Sequence, residues 1–135
     1  MHRRDDALPK IFLRAMAIGV VGVAIATTTS AADTKRPTTY ADDIRPIFRR
    51  YCYECHSSEK ATSGLALDSF AAIEKGGATG AVVVPKNVEG SRLWLLVSHE
   101  EAPTMPPDSD RMPKKSLETI RAWIRDGALN RRPSE

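Results

Sequence analysis

Cys52-Tyr53-Glu54-Cys55-His56 decides how the rest of this 135-residue sequence is read. Two cysteines three positions apart, with a histidine directly after the second, make a C-x-x-C-H pattern, the spacing of c-type haem attachment. The spacing has a physical reason. On a helical turn residues i and i+3 lie on the same side. Cys52 and Cys55 then reach two vinyl groups on one edge of a flat macrocycle, and His56 presents its imidazole to the iron from one face. One turn supplies two covalent anchors and the proximal ligand.

Three plainer readings compete. A Cys52–Cys55 redox disulfide of the thioredoxin type needs a βαβ context, and no such pattern surrounds the motif. A structural zinc ion takes four ligands. Beyond a cleavable leader the chain offers only Cys52, Cys55, His56 and His99, and the long interval between the two histidines is not finger-like. Two free structural thiols are unexpected in an exported protein.

A haem iron with one histidine needs a decision about its sixth position, and a Met thioether is a common partner in electron-transfer cytochromes. Met105 and Met112 both follow the motif and precede the final helix. Met105 is followed by Pro106-Pro107, and a proline-stiffened loop lowers the entropy lost when a flexible thioether ligates. That context favours Met105. Met112 directly precedes the last helix, where an apolar residue usually packs. His99 is the third candidate; if Met105 ligates, replacing His99 is expected to spare the spectrum.

Working outward, Ile44, Ile47, Phe48 and Tyr51 fall at i, i+3, i+4 and i+7 and predict a helix running into the motif. Pro46 is tolerated in its first turn if Asp43 caps it, and kinks it if the helix starts at Thr39. Leu65 and Leu67 read as buried in an irregular stretch. Asp68 reads as the cap of a short helix to Lys75, stopped by Gly76-Gly77. Val82–Val84 reads as a brief extended run, and Asn87 as the cap of a helix over Val88 to Val97 with Leu93, Leu96 and Val97 inward. Residues 99–113 hold Pro103, Pro106, Pro107 and Pro113 and predict an extended loop. A last helix from about Pro113 to Asp126 buries Leu117, Ile120, Trp123 and Ile124 and ends at Gly127. The expected class is all-α, a small fold with a helix at each end of the domain and one covalently bound haem.

The N-terminal segment stands apart. Arg3, Arg4, Lys10 and Arg14 precede an apolar run, Ala15–Ala26, and then the small residues 27–32 (TTTSAA). Basic, apolar, then small is the layout of a secretory signal peptide, with cleavage expected after Ala32 or Ala31. A membrane anchor is the alternative, but a spanning helix needs about 20 apolar residues, and this run has 12. Arg3-Arg4, flanked by Asp5 and Asp6, is a weak twin-arginine signal. The expected organisation is signal peptide 1–32, linker 33–39, domain 40–130 and tail 131–135. The leader carries four of the 20 basic and two of the 17 acidic side chains. The pI of about 9.0 is therefore partly its property, and no basic strip for nucleic acid is indicated.

The stretch Tyr40 to Leu129 resembles the planctomycete-type cytochrome c domain of the class I cytochrome c superfamily. The matching pieces are DIRPIFRRYCYECHS (43–57), GLALDS (64–69), KGGATGAVVVP (75–85), SRLWLLVSH (91–99), MPP (105–107) and LETIRAWIRDGAL (117–129). The resemblance implies Cys52 and Cys55 as thioether attachments, His56 as proximal ligand and Met105 as distal ligand. It also implies a fold whose first and last helices cross near the haem edge, where Phe48 and Tyr51 meet Ile120 and Trp123. Such domains often form the N-terminal part of much longer exported proteins; this sequence ends at Glu135, as a stand-alone cytochrome or a shortened product would.

The function expected from all this is one-electron transfer by an exported, periplasmic or otherwise extracytoplasmic, monohaem protein. Its partners are redox proteins, with neither nucleic acid nor stable membrane insertion after cleavage. No side chain has to act as acid, base or nucleophile, so the chain is not read as an enzyme. The alternatives are a haem enzyme or gas sensor with an open iron position, which the Met-Pro-Pro loop opposes, and an electron-entry module for a larger partner.

Overall fold

In the computed structural model, which describes residues 36–132, the chain enters its first helix at Thr39. The leader, the start of the linker and the last three residues of the tail lie outside the described range. The Thr39 hydroxyl accepts from the Asp42 N–H and caps a π-helical turn, Tyr40–Ile44, which leads into α1, Arg45–Tyr51. Of the two starts the sequence leaves open, the structure takes Thr39. Pro46 is accommodated because the wider turn bonds Ile44 N–H to Thr39 O and Arg45 N–H to Tyr40 O just before the position that lacks a donor.

Three more helices follow: α2, Phe70–Lys75; α3, Arg92–Val97; and α4, Lys114–Arg125. A short 3₁₀ turn, Thr62–Gly64, precedes α2. Among the described residues there is no strand, only isolated bridges, so the all-α expectation holds and Val82–Val84 is not a strand.

Two cap assignments shift. Ser69, not Asp68, caps α2 by accepting from the Ala72 N–H, because Asp68 is engaged with Ser58. Asn87 caps a turn, accepting from Gly90 N–H, and the helix begins only at Arg92. Ser91, wholly buried, bonds Val84 and Asn87 backbone and holds that turn apart from the helix. The shorter α3 buries Leu93 and Val97 but leaves Leu96 half-exposed. Gly76 stops α2 at φ +77, and a Cβ there would come within 2.3 Å of Gly80 O, so the stop needs glycine.

The π-helical turn and α1 turn their apolar face against the stripe of α4, as the resemblance implies. Ile44, Phe48, Ile120, Trp123 and Ile124 are fully enclosed. Phe48 meets Trp123 edge-to-face, with ring centroids 6.3 Å apart at 85°, an arrangement that adds to the burial itself. The segment after α4 folds back onto the start of the first helix: Leu129 O accepts from both Tyr40 N–H and Trp123 Nε1–H, and Ala41 N–H donates to Asn130 O. Trp123→Ala should therefore lower the unfolding free energy by about 3–5 kcal/mol, the cost of an aromatic cavity. Denaturant titration checks this against Val84→Ala at an exposed site, expected to change it by less than about 0.5 kcal/mol.

Candidate haem-binding site

The motif sits where α1 ends. Cys52 is the C-cap, its N–H bonded to Phe48 O at 2.8 Å. The Cys52 carbonyl then accepts from Cys55 N–H at 3.2 Å and from His56 N–H at 2.8 Å. One carbonyl thus closes the turn that carries all three side chains, as the i, i+3 spacing requires.

The next segment returns under His56. His56 O accepts from Leu67 N–H at 2.8 Å, and His56 Nδ1 lies 3.2 Å from Leu65 O. A carbonyl only accepts, so Nδ1 carries a proton in this contact, and in the neutral ring Nε2 is the nitrogen with the lone pair. A backbone carbonyl on the far ring nitrogen is the usual way a metal-binding histidine is oriented. The Tyr40 hydroxyl donates to Leu67 O at 3.0 Å and lies 3.4 Å from the Tyr53 hydroxyl, tying the first helix, the motif and this strap together. Burial, then the contact with Tyr53, raises the Tyr40 pKa and keeps it a neutral phenol.

Asp68 anchors the same strap. Its carboxylate accepts from Ser58 N–H at 2.7 Å and the Ser58 hydroxyl at 2.8 Å. These bonds, the backbone one first, hold its pKa below the ordinary carboxylate range. A group depressed in the folded state contributes stability above its unfolded value and loses it as pH falls through the folded value. Asp68→Asn should therefore destabilise the protein near neutrality, with the difference from wild type shrinking below about pH 4. Unfolding midpoints measured across that range check it. Asp42 and Asp43, held low mainly by hydrogen bonds from Arg132 and Arg36, retain the rest of the acid slope.

Opposite the motif lies the proline-rich loop, and between them opens a cleft of about 340 Å³. Tyr51, Cys52, Cys55 and His56 from the motif line it together with Val97, Met105, Pro106, Pro107 and Met112. The structure thus brings together four side chains expected at the site, Cys52, Cys55, His56 and Met105. Met112 reaches the same cleft but is 4% exposed and part of the core, whereas Met105 is half-buried at the core's margin. His99 does not line the cleft. Its Nε2 lies 3.3 Å from Met105 O.

The chemistry of this site differs from that of a redox disulfide. Both cysteines are free thiols, and burial pushes the Cys52 thiol up to about 12. Reactive C-x-x-C thiols have lowered pKa values, typically at a helix N-terminus; Cys52 sits at a C-terminus, where the helix dipole opposes a thiolate. Among the described residues no three of His, Cys, Asp and Glu converge as a metal-ion site. Two thiols, an imidazole with Nε2 available and thioethers around a largely apolar cleft do fit a covalently held haem.

The sequence reading missed Leu65 O as the partner of His56 and the Tyr40–Tyr53 link. The first is a backbone group, which no residue type announces. The second pairs hydroxyls 13 residues apart, visible only once the strap is placed.

No curated protein and no solved structure matches the chain. Residues 52–109, from the first motif cysteine to just beyond the Met-Pro-Pro loop, match the family model described as Planctomycete cytochrome C, the family that the motifs resemble, and such a domain suggests haem-based electron transfer.

Proposed function

We propose that this chain is an exported monohaem c-type cytochrome that carries single electrons between protein partners. In this reading Cys52 and Cys55 are thioether anchors, His56 is the proximal ligand and Met105 the distal one. The convergence of these four side chains on one cleft supports it most. Haem, when bound, supplies the one-electron chemistry. The chain's own residues do the rest. The Leu65 carbonyl orients His56 with Nε2 free. The two cysteines keep the macrocycle edge beside α1. Met105, stiffened by Pro106 and Pro107, fills the position where a small gas or peroxide would otherwise bind, which favours a carrier over an enzyme. Phe48 and Trp123 pack the first and last helices behind the site.

Residues 1–32 act in this proposal as a cleaved leader, and the mature chain begins near Asp33. No helix among the described residues is long and apolar enough to cross a membrane. Absorption spectra of the matured, oxidised and reduced protein, with acid–acetone extraction and N-terminal sequencing, test the whole reading. Haem that resists extraction, a His/Met spectrum and a start near Asp33 are expected. Extractable haem sinks the attachment, and an intact Met1 on membrane-bound protein makes the leader an anchor.

A further inference from the structure

The loop that carries Met105 is short of hydrogen-bond donors. Pro103, Pro106 and Pro107 have no N–H, so the two residues after Met105 cannot supply a backbone donor to its neighbourhood. The Met105 carbonyl is met instead by the His99 side chain, Nε2 at 3.3 Å. Because a carbonyl only accepts, Nε2 carries the proton in this contact. The main chain makes the same closure: His99 N–H and Met105 N–H both donate to Leu96 O, at 3.3 and 3.0 Å, and Glu100 and Glu101 N–H both donate to Leu95 O. His99 itself is held at φ +62, a left-handed conformation uncommon for any residue with a side chain. That conformation sits one residue beyond Ser98, the C-cap of α3, where the chain turns into the loop.

From this we infer that His99 is a positioning residue: its imidazole clamps the Met105 peptide so that the thioether stays directed into the cleft. The inference rests on the reading of Met105 as distal ligand and deepens it. Both backbone polar groups of Met105 are then anchored, the N–H by Leu96 O of α3 and the carbonyl by the His99 imidazole, two residues past the end of α3. On sequence alone, His99→Ala is expected to spare the spectrum. The bond to Met105 O changes that expectation. With the clamp removed, the loop samples open positions more often. If the open fraction rises from roughly 1% to roughly 10%, a ligand that needs the vacated position binds about tenfold faster.

The test uses the matured holoprotein as wild type, His99→Ala, His99→Gln and Met105→Ala. Gln carries an amide N–H at the same ε position and can restore the bond. The readouts are the far-red band of thioether ligation, the rate of carbon monoxide binding to the ferrous protein, the unfolding midpoint and amide exchange at Met105. His99→Ala should weaken the band, speed carbon monoxide binding about tenfold and deprotect the Met105 amide, with His99→Gln recovering most of each. A lowered midpoint with unchanged band and carbon monoxide rate would make His99 merely structural and overturn the inference while leaving Met105 in place. If Met105→Ala is itself indistinguishable from wild type, the ligand reading falls and takes the clamp with it.

Discussion

Met105→Ala is expected to abolish the far-red charge-transfer band, open the ferrous iron to carbon monoxide and lower the reduction potential. Thioether sulfur favours the reduced iron, so His/Met ligation raises the potential. Axial ligation sets haem potentials over about 0.8 V in all, and losing one thioether should account for on the order of 0.1–0.3 V of that range. Met112→Ala is the necessary comparison, because both sulfurs line the same cleft. Met112 is buried among Leu117, Ile120 and their neighbours in the core, so its loss should cost about 2–5 kcal/mol of stability and leave band and potential nearly unchanged. Rapid carbon monoxide binding by the wild type, or loss of the band in Met112→Ala alone, would end both the ligand assignment and the carrier reading.

The second large effect is expected at the anchors. Replacing both Cys52 and Cys55 by Ala should leave His56 and Met105 in place but convert haem binding from a tethered to a bimolecular equilibrium. A short tether holds its group at an effective concentration on the order of millimolar. At micromolar protein and haem, removing it weakens occupancy roughly 10³-fold, or about 4 kcal/mol. Since the bound group stabilises only the folded chain, much of that should appear as a lower unfolding midpoint. Either single replacement should keep one bond and still reduce holoprotein yield sharply. Denaturing gels stained for haem peroxidase activity, together with extraction, distinguish the three variants. Haem that stays bound through denaturation in the double variant would refute the attachment role.

Much of this was legible along the chain because it depends on short-range spacing. The C-x-x-C-H turn closes on one carbonyl within five residues. Helical periodicity selects the face that turns inward: Ile44, Phe48 and the α4 positions are buried while Ile47 and Tyr51 are half-buried at its margin, and Gly76 ends α2 at a positive φ. Errors arose where a polar side chain had two possible partners. Asp68 and Ser69 are both good caps, and the choice between them was made by Ser58, ten residues away from Asp68 in sequence. Asn87 looked like a helix cap, but it caps a turn, because Ser91 is buried against Val84 and Asn87 and delays the helix to Arg92.

By itself the sequence determined the helical class, the attachment motif and the set of sulfur and imidazole candidates, since each follows from residue type and a spacing of a few positions. Only the tertiary structure decided which candidates share the cleft. Met105, Met112 and His99 lie within 14 residues of one another, and residue type allows any of them to approach an iron. Their positions separate because the chain turns sharply at His99, at a positive φ. That turn puts the imidazole on the Met105 carbonyl rather than in the cleft, while Met112 is buried as a member of the core cluster and Met105 stays at its margin. Such choices depend on how the folded chain places neighbouring segments, since the His99–Met105 contact spans only six residues yet no residue type announces it, and burial leaves each polar group few partners within reach.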